Sequence, residues 1–289
     1  MALEKKKVGI LAECVCDLPK STLRSRGIDI LYFLVETESG VFTDTDEITA
    51  ENVISHMEKG GRTKSAPPPP EIYKKAFEKS LKRHDEVILV AISSHISHSC
   101  ENAEKAVKLM GDDGKRVHIF DSEHLSTGLG FLVLRAAELA AQGCDSAKIL
   151  SELEVMKPRV STTFIAKNAD YLYRNGLVSA FVKSVCSILS IHPVLTMKNG
   201  DIRPKTVILG SYENACRTYI KKELKGKKNI DSRQAFVTHV GCSVKMLRII
   251  KSETKKYCGF NELTVTDASA TISSNCGPDT FGILFVRTD

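Results

Sequence analysis

The sequence predicts an α/β protein in two parts: an N-terminal domain on a parallel sheet (residues 1–157) and a C-terminal α+β domain with a mixed sheet (residues 158–289). Three observations carry this. Up to about residue 157, short apolar runs alternate with loop and helix signals, the pattern of a parallel sheet covered on both faces. From Pro158 the texture changes, and Lys198-Asn199-Gly200-Asp201 is a hairpin signal, because Asn-Gly tolerates the positive φ values of a tight turn. The length of 289 residues suits two ordinary domains, and a composition 42% hydrophobic and 26% charged can bury a core.

The first strand is expected over residues 8–12, VGILA, ending in a loop with Cys14, Cys16 and Asp17. Leu18-Pro19 opens a helix, with proline near its first turn. Residues 28–35 form one apolar strand, and Thr49 caps a helix with Glu51 in its first turn. The stretch 60–70 holds Gly60-Gly61 and Pro67 to Pro70, so it reads as a stiff loop before helix 71–82. Strand 86–92, EVILVAI, runs into the hydroxyl-rich Ser93-Ser94-His95-Ile96-Ser97-His98-Ser99, then helix 101–110. Strand 117–120 leads through Asp121-Ser122 and Ser126-Thr127-Gly128-Leu129-Gly130 into an apolar helix to about residue 142. Asp145 caps a helix to Met156 with Ile149, Leu150, Leu153 and Met156 on one face. The second part reads as strand 161–166, a helix towards Gly176, helix 180–189, strand 193–198 and helix 213–224. Strand 234–239, helix 244–256, strand 262–266 and strand 282–286 complete it.

The net charge of +6 is modest and gathers in Lys5 to Lys7 and the 221–228 run. Without tryptophan, and with 6% aromatic residues, the chain lacks the basic stripe with interleaved rings of a nucleic-acid binder. Nine cysteines occur with no CxxC pair, which argues against a zinc site. No secretory leader and no membrane-length apolar window is seen, so the expectation is a cytoplasmic protein with reduced thiols.

The segment 93–99 is the most informative. It joins a buried strand to a helix, where free backbone N–H groups gather and hydroxyls can donate to an anionic oxygen. Simple helix capping by one serine explains it equally. A hydrolase would use Ser93 or Ser94 with His95, His98 or His124 and a carboxylate such as Asp121, though no GxSxG elbow is present. His95-x-x-His98 offers two metal ligands without a third marked by spacing. Ser126 to Gly130 holds only GxG, short of a dinucleotide fingerprint. Cys14-x-Cys16 without a basic neighbour is a weak redox signal.

Taken in order, several segments resemble the DegV family over essentially the full length. These are the first strand running into Asp17-Leu18-Pro19, the stretch 44–49, Ser65-Ala66-Pro67, residues 92–97, and Asp121-Ser122 with Ser126 to Gly130. Tyr171-Leu172, residues 191–200 and Cys276-Gly277-Pro278 follow. The resemblance implies a long-chain fatty acid held in an apolar tunnel between two domains, its carboxylate met by hydroxyl groups. It implies no cofactor and no catalysis by the chain itself, but a carrier that presents the acid to a separate ATP-binding kinase. Ser94 matches the family serine at the carboxylate, with Ser93 and Ser65 at neighbouring positions of the same motifs. Lys64, Asn275, Ser126 and Gly128 complete the expected ligand-binding set. Several positions depart from the family. Lys64 stands for threonine and Asn275 for histidine; Leu177, Leu209 and Ser211 lie where basic residues are usual, and Ala12-Glu13-Cys14 replaces Thr-Asp-Ser. Acid binding survives these changes. Phosphoryl transfer, which develops negative charge that cations stabilise, is weakened, so the sequence reads as a divergent lipid carrier.

Overall fold

The computed structural model describes residues 6–167, 169–177, 179 and 190–288. The expected helix 180–189, with Cys186, lies outside the described residues.

Four strands form the parallel sheet: β1 (Lys6–Glu13), β2 (Asp29–Leu31), β6 (His84–Ala91) and β7 (Val117–Asp121), in the order β2-β1-β6-β7. Period-2 alternation along β1 sends Val8, Ile10 and Ala12 to one face and Leu11 to the other. The Leu11 face packs on α3 (Pro70–Leu81) and α4 (Ser99–Lys108) through Tyr73, Phe77 and Ala103. The other face packs on α5 (Ser126–Ala141) through Leu129, Leu132 and Val133, with α1 (Lys20–Arg26) alongside and Ile149 and Leu153 of α6 (Ser146–Met156) in the same core. Both faces are covered, as parallel sheets require.

The expected strand 28–35 is two strands in two sheets. The chain leaves β2 at Leu31 and re-enters at β3 (Leu34–Thr37), which pairs antiparallel with β4 (Gly40–Thr43) and β5 (Lys64–Ala66). The break lies at Tyr32 and Phe33, where the Phe33 N–H donates to Cys14 Sγ (3.2 Å) and its carbonyl accepts from Asp44 N–H (2.9 Å). The proline-rich stretch thus contains a strand, β5, at a sheet edge where following prolines are tolerated. After β4, Thr49 and Asn52 close a reciprocal capping box at the start of α2 (Ala50–Glu58).

The second sheet has six strands in the order β10-β9-β8-β13-β11-β12. They are β8 (Val160–Ile165), β9 (Ile191–Lys198), β10 (Asp201–Leu209), β11 (Ile230–His239), β12 (Glu262–Asp267) and β13 (Phe281–Arg287). All neighbours are antiparallel except β11 and β12. The Asn-Gly turn joins β9 to β10 with φ +51° at Asn199 and +81° at Gly200. After the short α7 (Asp170–Arg174), helices α8 (Tyr212–Leu224) and α9 (Val244–Tyr257) cover one face through Tyr219, Ile220 and Ile250. The opposite face, with Phe164, Phe236, Leu284 and Val286, shares a core with α5 and the parallel sheet. Helix α10 (Ala270–Cys276) was not legible in the sequence. Thr271, Ile272, Ser273, Ser274 and Asn275 are poor helix formers, and the helix is held from outside instead.

Candidate functional site

The carboxyl ends of β1, β6 and β7 meet at one edge of the parallel sheet, where ligands gather in such folds. Glu13 closes β1. It is fully buried and accepts hydrogen bonds from Tyr73 Oη (2.6 Å), Ile92 N–H (2.8 Å) and the Ser99 hydroxyl. Burial pushes its pKa up, and these three donors partly offset that. Glu13 thus ties the hydroxyl loop to its strand.

Ser93 is buried. Its hydroxyl donates to the carbonyl of Gly200 (2.6 Å), and its Oγ accepts from His95 N–H (3.3 Å). The Asn-Gly turn of the six-stranded sheet is therefore anchored on the serine loop of the parallel sheet. A Cβ at Gly200 would come within 3.0 Å of the His95 ring, so this contact also needs glycine. Ser94 is exposed; its N–H donates to both Asp121 carboxylate oxygens (3.3 Å each), and its hydroxyl makes no hydrogen bond among the described residues. His95 faces Asp201 (3.3 Å) and His98 faces Glu101 (3.1 Å). His124 accepts from the Thr162 hydroxyl at Nδ1 and donates from Nε2 to the Lys157 carbonyl, both at 3.0 Å. Burial holds it below the ordinary histidine pKa, which fits that neutral tautomer. No serine hydroxyl of this loop meets an imidazole, and no metal-ligating cluster forms, among the described residues.

The second polar centre is Ser65 with Asn275. The Asn275 amide donates to Ser65 Oγ (3.1 Å) and to the Thr271 carbonyl (2.8 Å). Ser65 thus receives a hydrogen bond from α10 and keeps its own proton to donate. Lys64 is the neighbour of Ser65 on a strand, so its side chain points to the opposite face. It is exposed. That alternation turns Lys64 away from the face on which Ser65 meets Asn275.

The third centre is built on two carboxyl groups. Asp17 is buried, in the left-handed region with φ +51°, and accepts from the Ser126 hydroxyl (2.6 Å) and Ser269 N–H (2.8 Å). Burial raises its pKa to about 7. Ser126, also left-handed with φ +54°, starts α5, and its proton is committed to Asp17. Its expected role as a ligand donor would require it to leave Asp17. Gly128, two residues on, is a packing requirement: a Cβ there would lie 2.0 Å from Thr162 Oγ1. Asp44 accepts from Ala270 N–H and Thr271 N–H, both at 2.8 Å. Asp17 and Asp44 thus hold the first turn of α10 against the N-terminal half of the chain. The sequence signal was an acidic residue just past an apolar run, which reads as ordinary loop polarity. Cys14 and Cys16 are buried thiols pushed up in pKa by desolvation, to about 12 for Cys16, which leaves them as inert packing.

Between these centres, α10 and the start of α5 face the inner surface of the six-stranded sheet. A cavity of about 30 Å³ lies there, lined by Leu125, Phe164, Val240, Ile272, Cys276 and Leu284 among others. Ile272, Asn275 and Cys276 fall on one side of α10 by their i, i+3, i+4 spacing. The same helix therefore carries the Ser65 contact and the apolar wall. A wider groove of about 950 Å³ opens between α1, α2 and the ends of β11 and β12. Asp17, Glu51, Glu58 and Asp267 line it against Lys20 and His239, which disfavours an acid.

An α/β chain with a parallel sheet, a mixed sheet and an apolar seam between them is the class this arrangement defines. The sequence profile of the DegV family matches residues 7–288, and the chain belongs to that family. A DegV domain-containing protein of Caldanaerobacter subterraneus is 24% identical over 280 residues, 97% of this chain and 99% of that one. Among solved structures, a fatty-acid-binding DegV family protein from Thermus thermophilus superposes with a TM-score of 0.85 at 23% identity, covering 97% of this chain and 99% of that one. The fatty acid kinase B3 protein of Streptococcus pneumoniae, loaded with linoleic acid, gives 0.83 at 17% identity, covering 97% and 99%. No described helix is long and apolar enough to cross a membrane.

Proposed function

We propose that this protein binds a long-chain fatty acid along the seam between α10, α5 and the six-stranded sheet, as a carrier. The observation that carries this reading is the dual role of α10, which polarises Ser65 through Asn275 and lines the apolar cavity with Ile272 and Cys276. Ser65 donates to one carboxylate oxygen. The uncommitted Ser94 hydroxyl supplies a second donor at the exposed end. Each acyl methylene taken from water contributes about 0.8 kcal/mol, while a carboxylate buried without donors would cancel much of that gain. A cavity of about 30 Å³ holds about one water, so the acyl tail parts the helices from the sheet as it enters.

Presentation to an ATP-binding kinase is the weaker half of the carrier role. Where the family resemblance calls for cations, edge strand β10 exposes Leu209, Ser211 follows it, and Asn275 is neutral. The experiment is denaturing extraction of the purified protein with mass spectrometry of what is released. A stoichiometric long-chain acid is expected, and a lower occupancy in Ser65→Ala. A wild-type protein that releases no acid and gains no thermal stability from added acids would overturn the reading. Acyl phosphate formation with a DegV-type kinase partner, at a rate an ordinary member supports, would overturn the second half alone.

A further inference from the structure

Strand register divides the inner face of the six-stranded sheet into rows. Phe164, Gly282 and Thr238 lie side by side across β8, β13 and β11, and Thr162, Leu284 and Phe236 form the next row. The first row and two members of the second, Thr162 and Leu284, line the acyl cavity. Phe236, the third member, lines a separate groove of about 650 Å³, together with Val286 two residues beyond Leu284 on β13. Cavity and groove therefore abut at one cross-strand pair, Leu284 beside Phe236. Phe131 of α5 closes the layer from above, its ring edge-on to Phe236 at 5.0 Å between centroids. Both phenylalanines are buried. Beyond them the groove opens between Arg26, Arg135, Arg159 and Arg233 and the acids Glu138, Glu152 and Asp231, where an apolar chain end would be stranded among ions.

We infer that the Phe131–Phe236 pair is the end stop of the acyl channel and sets the longest acid this protein holds. The inference rests on the fatty-acid reading above. An acid that ends short of the pair is fully covered. A longer one must either displace an aromatic contact or leave its carboxylate short of Ser65. Reducing Phe131 removes the wall, joins the cavity to the groove and admits longer tails.

The test is competition of a homologous series of saturated acids, from ten to twenty carbons, about one two-carbon step at a time, against a fluorescent fatty acid. Wild type should gain affinity with each step and then lose it abruptly, by at least tenfold in one step. In Phe131→Leu and Phe131→Ala the break should move to longer homologues, further in the alanine variant. Affinity that climbs smoothly through the longest acid in wild type overturns the inference, and this readout needs no variant to fold. A sharp break that stays in place in a folded Phe131→Leu protein overturns it too. Failure of any acid to compete would instead sink the fatty-acid reading itself.

Discussion

Two polar centres sit at opposite ends of α10, and they are built differently. At one, Asp17 and Asp44 bring their own carboxyl groups, which accept from the Ser126 hydroxyl and the N–H groups of Ser269, Ala270 and Thr271. At the other, Ser65 and Asn275 are neutral, and one proton is left over. The first centre has its carboxyl groups built in and is structural. The second lacks one and can take a carboxylate from outside. Richness in hydroxyls does not separate them, since serines occur at both. What separates them is whether the protein has already supplied the acceptor.

The contrast breaks most visibly at Asp44. Asp44→Ala orphans two buried N–H groups at the start of α10, each costing about 1–3 kcal/mol. Denaturant unfolding should show a larger stability loss than in Ser65→Ala, Ser93→Ala or Ser94→Ala, with acid binding lost because α10 is no longer fixed. A loss below about 1 kcal/mol would mean the helix stands without its carboxylate brace.

Asp17 sharpens the same point through pH. Its pKa is about 7 in the fold against an ordinary value of 3.8. Between those values the unfolded chain has released the proton while the folded protein still holds it, so stability falls as pH rises through that window and levels off above it. Asp17→Asn removes this slope while keeping the shape. The variant should gain on wild type from about pH 4 to 7, by an amount on the order of a few kcal/mol, read from chemical denaturation at each pH. Glu13 and Asp44, also raised by burial, slope the same way in both proteins, so the difference reports Asp17 together with its coupling to Asp44. A constant difference across that range would show that Asp17 is already ionised and fully compensated.

Ser65→Ala tests the neutral centre. A hydrogen bond to a charged group contributes about 1.5–3 kcal/mol, so the dissociation constant for a long-chain acid should rise about tenfold or more. Stability should change little, because Ser65 is only half-buried. Should fatty-acid affinity stay the same while stability falls, the two centres would have exchanged roles.

The repeated strand–helix alternation, the Asn-Gly hairpin and the serine loop after β6 were legible because each is local: periodicity, turn chemistry and a hydroxyl run are written in consecutive residues. The small sheet of β3, β4 and β5 was not, since strands of three or four residues are too short to show a period and β5 hides before four prolines. Helix α10 was missed for the opposite reason. Its residues favour other structure, and its stability is lent by Asp17 and Asp44, each 226 or more positions away in the chain. The same distance hid the difference between Ser65, whose proton is free to donate, and Ser126, whose hydroxyl already donates to a buried acid. Sequence identifies a hydroxyl; only the fold says what it is bonded to.

The finest version of the contrast lies within two adjacent residues. Ser93 and Ser94 follow the same strand and look interchangeable. Ser93 has spent its proton on Gly200, joining the two sheets, and Ser94 has not. Ser93→Ala should therefore cost about 1–2 kcal/mol of stability, because the Gly200 carbonyl loses its donor, and should leave acid affinity nearly unchanged in the folded protein. Ser94→Ala, at an exposed site, should keep stability within about 0.5 kcal/mol and weaken acid binding severalfold. Unfolding curves and fatty-acid titrations on the two variants should give a crossed pattern. If both serines affect binding alike and neither affects stability, the loop works as one hydroxyl cluster, and the division between spent and unspent donors does not extend to it.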